Sequence, residues 1–402
     1  SNQVVTLDSN SGSLINLDWT GVANSPQFNM NSKPLEISGS VTYTTDMSIS
    51  NPGSLKFITN SNSSLYSAGH DIGNLDIDKS GGVFNQLDNF STSYKNFYVR
   101  SGSTYNSNDY DLRFHQVVFS GSPSGSATTT INTGVSKITI DGYRFQIDSD
   151  QTNSNIITDF SSSTIHLKEA AINGSYYRKD NFGHVISENS PSWRSVGYYV
   201  DRIRKLEIIQ NGTSYQNDTQ VISSEFGYYY DSNNRGGIID TLIINKHTRF
   251  NTYYNPIVGD IQFKGNALTV EFGTSGTLTV SNSMSFDGGD CSVTTLRSTS
   301  GGNQATLNLL FTDTVTATNL SLKDMAFTGS GTLVAQTSVD QGNNSGVTIT
   351  QLDARNLYWI GGSGDWSDSN HWSLSDGGSG GQCAPTPNDN VYFTSNSFSA
   401  SN

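Results

Sequence analysis

At 402 residues, only 14% of them charged, the chain exceeds an ordinary globular domain and owes its solubility to Ser, Asn, Thr and Gly rather than to ions. A formal net charge of −13 sets most of the surface against phosphate backbones and anionic membranes, so no nucleic-acid partner is expected. No apolar run is long enough to enter a bilayer, any secretion signal is expected outside these residues, and two cysteines are too few for a disulfide scaffold or a four-ligand zinc site.

From the start of the chain, short runs alternate apolar and polar residues between Gly, Asn, Ser and Asp. Leu35-Glu36-Ile37, Leu55-Lys56-Phe57-Ile58, Leu75-Asp76-Ile77, Phe97-Tyr98-Val99 and Leu112-Arg113-Phe114 lead the series. A period of two is that of a strand with one buried face. Starts at 35, 55, 75, 97 and 112 are about twenty residues apart, which suits one turn of a parallel β-helix and exceeds the spacing of a β-sandwich, the alternative architecture. No stretch shows helical periodicity, so the expected class is all-β, a parallel β-helix (solenoid). Residues 1–172 form its N-terminal rungs.

Between 173 and 260 the spacing breaks down and the composition changes. Aromatic residues gather at Trp193, Tyr198, Tyr199, Tyr228, Tyr229 and Tyr230, and cations at Arg202, Arg204 and Arg235, in an otherwise acidic chain. This reads as rungs with long aromatic and basic loops. Rings that stack on sugar C–H faces beside forked donors that meet hydroxyls make these nine residues a candidate glycan patch. The plainer reading is that the rings cover the core beneath the loops.

Regular runs resume over 261–357, with Leu268-Thr269-Val270, Leu307-Asn308-Leu309, Leu320-Ser321-Leu322 and Val347-Thr348-Ile349. No paired carboxylates stand out for polysaccharide cleavage, so a β-helical lyase or hydrolase is a secondary alternative and the chain is expected not to be an enzyme. The six histidines are scattered singly, without metal-ligand spacing. Asp148-Ser149-Asp150-Gln151-Thr152-Asn153, Asp231-Ser232-Asn233-Asn234 and Asp287-Gly288-Gly289-Asp290 offer oxygen ligands for calcium, though turns use the same residues for their own hydrogen bonds. No cofactor or metal is therefore expected beyond calcium as a stiffener. Cys291 and Cys383 are compatible with a disulfide or with two buried thiols.

The last segment, 358–402, reads as a small Trp-rich β cassette. Tyr358-Trp359-Ile360-Gly361-Gly362-Ser363-Gly364-Asp365-Trp366 continues through His371-Trp372-Ser373 to Pro385-Thr386-Pro387-Asn388-Asp389-Asn390-Val391-Tyr392-Phe393. Joining the end of the chain to its start yields one strand-like phrase, as expected of one period of a tandem array whose cassette opens the next repeat. Trp359, Trp366 and Trp372, with Trp19 from the chain start, then pack at the repeat junction; an exposed sugar platform is the other reading. The cassette, with Leu17-Asp18-Trp19-Thr20-Gly21 and Leu35-Glu36-Ile37-Ser38-Gly39-Ser40, resembles the repeat-start signature of giant adhesins of Bacteroidota-type bacteria secreted by the type IX system, the SprB-like gliding adhesins among them. The match covers roughly a fifth of the chain. It implies a right-handed β-helical repeat at the bacterial cell surface, outside the cell. Its partners would be neighbouring repeats and surface polysaccharide, in attachment or gliding motility. A free-standing carbohydrate-binding module is the alternative.

Overall fold

A computed structural model describes the chain apart from residues 1–2, 9–11, 93, 122–126, 149–155, 169–170, 174–179, 189–194, 197–199, 210–219, 223–237, 251, 253–254, 266, 288–290 and 399–402. It divides into two compact units, Ser1–Thr241 and Leu242–Asn402. The division falls within the segment of irregular spacing, 173–260. Helix among the described residues amounts to one 3₁₀ turn, Ser369–His371. The β-solenoid expected from the alternating runs is what the chain builds.

In the first unit the strands Pro34–Ile37, Ser54–Phe57, Asn74–Ile77 and Asn96–Val99 stack in parallel, and Leu112–Ser120 and Lys137–Asp148 extend the ladder. Register places Leu35, Leu55, Leu75, Phe97, Val117 and Phe145 in one inward column and Ile37, Phe57, Ile77, Val99, Phe119 and Ile147 in a second, all buried. Identical environments stacked at the strand spacing explain why the same residue types recur. Each rung completes the core of its neighbours and has no separate core. Leu112 corrects the predicted rung series. It pairs with Phe90 and Ile138 on another face, and Val117 is the residue that sits on Phe97. The strand Leu112–Ser120 turns a corner and serves two faces, so its first apolar residue does not mark the column.

Rings fill the wider rungs. Phe97 stacks on Phe114 at 5.2 Å, Phe119 on Phe160 at 5.8 Å, and Phe160 on Phe182 at 5.4 Å with planes 8° apart. The buried Tyr105 hydroxyl donates to Gln86 Oε1, and Gln86 Nε2 in turn donates to the carbonyls of Asp88 and Asp111 at 2.8 and 2.9 Å. The Tyr105 hydroxyl and the Gln86 amide are thereby satisfied. Asn, abundant in the sequence, holds left-handed turn positions at Asn24, Asn31, Asn51, Asn108, Asn255, Asn319 and Asn343, where its short amide tolerates a positive φ. At Gly53 a Cβ would stand 2.0 Å from the Lys33 carbonyl of the turn below, so stacking of successive turns requires glycine there.

The second unit repeats the design. Thr248–Phe250, Thr269–Phe272, Thr294–Ser298 and Leu320–Lys323 form one parallel face, and Ile257–Phe263, Thr277–Phe286, Ala305–Leu309 and Met325–Gly329 another. A third joins Thr314–Thr318, Thr332–Asp340 and Val347–Gln351. Phe250 and Phe272 stack at 5.2 Å with planes 3° apart. After Gln351 the chain leaves the ladder and enters a three-stranded sheet of Asn356–Trp359, Trp372–Ser373 and Asn390–Tyr392.

Candidate functional site

The cassette is built around Asn356–Trp359, which runs parallel to Asn390–Tyr392 and antiparallel to Trp372–Ser373. Alternation along it turns Leu357 and Trp359 inward, where they meet Trp372, with Ala384 and Val391 packed against the three. Trp372 is 0% exposed and stands edge-on to Trp359 at 4.9 Å and to Trp366 at 4.8 Å. Both buried indoles spend their one donor on the local backbone. Trp359 Nε1–H donates to the Gly362 carbonyl at 2.6 Å and Trp372 Nε1–H to the Trp366 carbonyl at 2.8 Å. His371 lies flat on Trp359 at 4.7 Å and donates from Nδ1 to the Ile360 carbonyl at 2.7 Å. A Cβ on Gly364 would come within 2.0 Å of His371 Nε2, which accounts for the glycine frame as a close passage of backbone over an imidazole.

Two devices fasten this sheet. The first is a charged clasp. The Asp389 carboxylate, 0% exposed, accepts from Arg355 Nη2 at 2.6 Å, Arg355 Nε at 3.1 Å, the Thr386 N–H at 2.7 Å and the Thr386 hydroxyl at 3.0 Å. The Arg355 N–H adds another bond at 3.0 Å, and Asn388 Nδ2 donates to the carbonyl of Leu352. The second is a disulfide between Cys291 and Cys383, 92 positions apart with Cα atoms 4.9 Å from one another. It joins the cassette to the solenoid of the same unit, and settles the two cysteines in favour of pairing.

Desolvation acts to raise the Asp389 pKa, but the Arg355 guanidinium and the N–H donors of Thr386 and Arg355 outweigh it and leave the group at about 2. A carboxylate held below its unfolded value of about 3.9 adds roughly 2 kcal/mol at neutral pH. That contribution is complete above about pH 4 and fades as pH falls toward 2. Asp389→Asn is therefore expected to lower cassette stability by about 2–4 kcal/mol, since it leaves Arg355 half buried without its partner, and to flatten the acid limb of the unfolding curve. Urea titration at pH 2.5, 4 and 7, followed by tryptophan emission, reads both. An unchanged acid limb would show that another carboxyl controls it.

The four predicted junction tryptophans occupy different settings. Trp359 and Trp372 are core. Trp366 is 53% exposed, and Leu374, Tyr392, Phe393 and Phe398 around the cassette are also exposed. Phe393 lies 6.1 Å from Trp359, 6.5 Å from Trp372 and 6.3 Å from Phe398, so a buried ring cluster grades outward into open ones. Trp19 belongs to the first unit. It follows Leu17–Asp18, packs on Phe28 at 5.5 Å, and its Nε1–H is buried without an acceptor among the described residues.

Of the candidate glycan patch, Trp193, Tyr198, Tyr199, Tyr228, Tyr229, Tyr230 and Arg235 lie outside the described residues. Arg202 and Arg204 share the strand Val200–Ile209, with Arg202 opposite Asn181 and Arg204 exposed. The possible calcium turns fall largely outside as well. Among the described residues, no group of three or more His, Cys, Asp or Glu converges as metal ligands, and no helix is long and apolar enough to cross a membrane. The sequence reading missed Arg355, His371 and Asp389. Their only local signal is an acid placed three residues after Thr386, within capping reach of its own turn. No protein-family model, curated protein or solved structure matches the chain.

Proposed function

We propose that the chain is a structural and adhesive repeat of a long extracellular bacterial surface protein, of the SprB-like type IX class that its cassette resembles, serving attachment and gliding. The observation that carries this reading is a tryptophan cassette clamped to a solenoid by Cys291–Cys383 and Arg355–Asp389 while Trp366, Phe393 and Phe398 stay open to contact. A firmly anchored module with exposed rings suits a joint, because large rigid rings bury much area at small entropic cost. The disulfide fits an oxidising, extracellular setting. In this reading the open rings of one cassette meet the Trp19 end of the following copy. The role involves no catalytic step.

A head-to-tail fusion of three copies, coupled to beads, tests it. The beads should hold to glass or polysaccharide-coated slides under a flow that clears albumin-coated beads, and the internal copies of Trp366 should be shielded from N-bromosuccinimide as mapped by mass spectrometry. Beads that wash away with the albumin control would remove the adhesive role. Trp366 oxidised equally in one copy and in three would remove the joint.

A further inference from the structure

Along one outer face of the second unit, parallel register sets Arg249, Glu271, Arg297 and Lys323 side by side on four successive strands. Both guanidiniums bind the single carboxylate. Arg249 Nε donates to Glu271 Oε2 at 2.7 Å, and Arg297 donates to Oε1 from Nη2 at 2.7 Å and from Nε at 3.1 Å. The Glu271 side chain is 11% exposed, whereas those of Arg249 and Arg297 are 50% and 48% exposed. The carboxylate thus sits beneath the two forks and fixes them. Each guanidinium has five N–H donors, so about three on each remain for something outside. Lys323, exposed, continues the row. Two residues earlier on the same strands runs a neutral column. The Thr269 N–H donates to His247 Nδ1 at 2.8 Å, and Thr269 and Thr295 follow in register, half-exposed, whereas Ser321, next in the column, is buried and accepts from Gln341.

Three cations against one carboxylate, within a chain of net charge −13, make a local reversal of sign, and its geometry is linear. The strands repeat at about 4.8 Å, so Arg249 and Arg297, two strands apart, lie roughly 10 Å from one another with Lys323 about 5 Å further along, beside the half-exposed Thr269 and Thr295. A sulfate or a lone carboxylate would need one fork. An extended sugar polymer with an acid on successive rings has a comparable repeat, carries anions for the forks, and offers hydroxyls to the neighbouring column.

We propose that the Arg249–Glu271–Arg297–Lys323 row, flanked by His247, Thr269 and Thr295, is a track for a linear carboxylated polysaccharide. Glu271 is a positioning residue that holds both arginines open-handed, and Arg249, Arg297 and Lys323 make the contacts. The track is distinct from the cassette and needs only one copy of the chain, so its failure would leave the repeat reading standing.

The test is biolayer interferometry of the single chain on immobilised polygalacturonate, with dextran and single-stranded DNA as comparison surfaces, at low and physiological salt. Binding to polygalacturonate that weakens as salt rises is expected, with none to dextran. R249Q/R297Q/K323Q should lose about tenfold or more, the worth of one or two charge-assisted hydrogen bonds. Because that variant strips Glu271 of its partners, K323E is measured beside it. It leaves the Arg–Glu–Arg clamp intact and should still weaken binding about three- to tenfold through reversal of one exposed charge. No binding of polygalacturonate, undiminished binding by K323E, or equal binding of DNA would overturn the assignment, the last by reducing the row to an unspecific cationic patch.

Discussion

Reducing Cys291–Cys383 is expected to lengthen the chain under load by about 310 Å, because 92 positions enclosed by the bridge become free to extend at roughly 3.4 Å each. The reason lies in how a solenoid fails. Each rung is held only by its neighbours, so tension applied at the chain ends peels rungs one after another from the termini inward. With the bridge intact, load entering from the C-terminal side passes, once Asn390–Tyr392 has given way, from Cys383 straight to Cys291 and bypasses Thr294–Ser298, Ala305–Leu309, Leu320–Lys323, Thr332–Asp340, Val347–Gln351 and the three tryptophans of the cassette. Those strands carry no tension until the bridge is cut. The same closure limits the unfolded state, and its removal should cost about 2–5 kcal/mol. Single-molecule pulling of the whole chain between terminal handles, oxidised and then reduced, measures the difference directly. Equal contour lengths in the two states would mean that the two sulfurs are not joined.

What the sequence made legible follows the physics of each feature. Leu35, Leu55, Leu75 and Phe97 announce the ladder because their alternation is local and the turns between them are of similar length, so register and spacing coincide. The rule fails at Leu112–Ser120, where one strand serves two faces and its first apolar residue is no longer the column residue. The cassette is readable as a unit because tryptophan and glycine have few other reasons to alternate so densely. Its fastenings are not, since pairing of Cys291 with Cys383 and of Arg355 with Asp389 depends on a chain reversal that no local pattern encodes. The basic row is equally hidden. Arg249, Glu271, Arg297 and Lys323 come together only through the parallel register, and because the row mixes both signs of charge no recurring residue type marks it in sequence. The aromatic loop residues chosen as a glycan patch rest on composition alone, and composition does not say which rings share a face.

Trp372→Ala is expected to melt the cassette, at a cost of about 3–5 kcal/mol, while Trp366→Ala should cost less than about 1 kcal/mol, although the two rings touch. Trp372 is wholly buried, supports Trp359 and Trp366 on two sides, and its Nε1–H ties down the Trp366 carbonyl, so truncation leaves a cavity and an orphaned acceptor together. Trp366 already gives half of its surface to water, and little is lost with it unless another surface covers it. The solenoid rungs between Thr294 and Gln351 keep their own ladders in either variant. Far-ultraviolet circular dichroism should therefore change little, whereas near-ultraviolet signal and urea midpoint followed by tryptophan emission should collapse for Trp372→Ala alone. Equal loss from both variants would make Trp366 a structural ring, remove the free face on which the joint depends, and leave the cassette as a cap on its own unit.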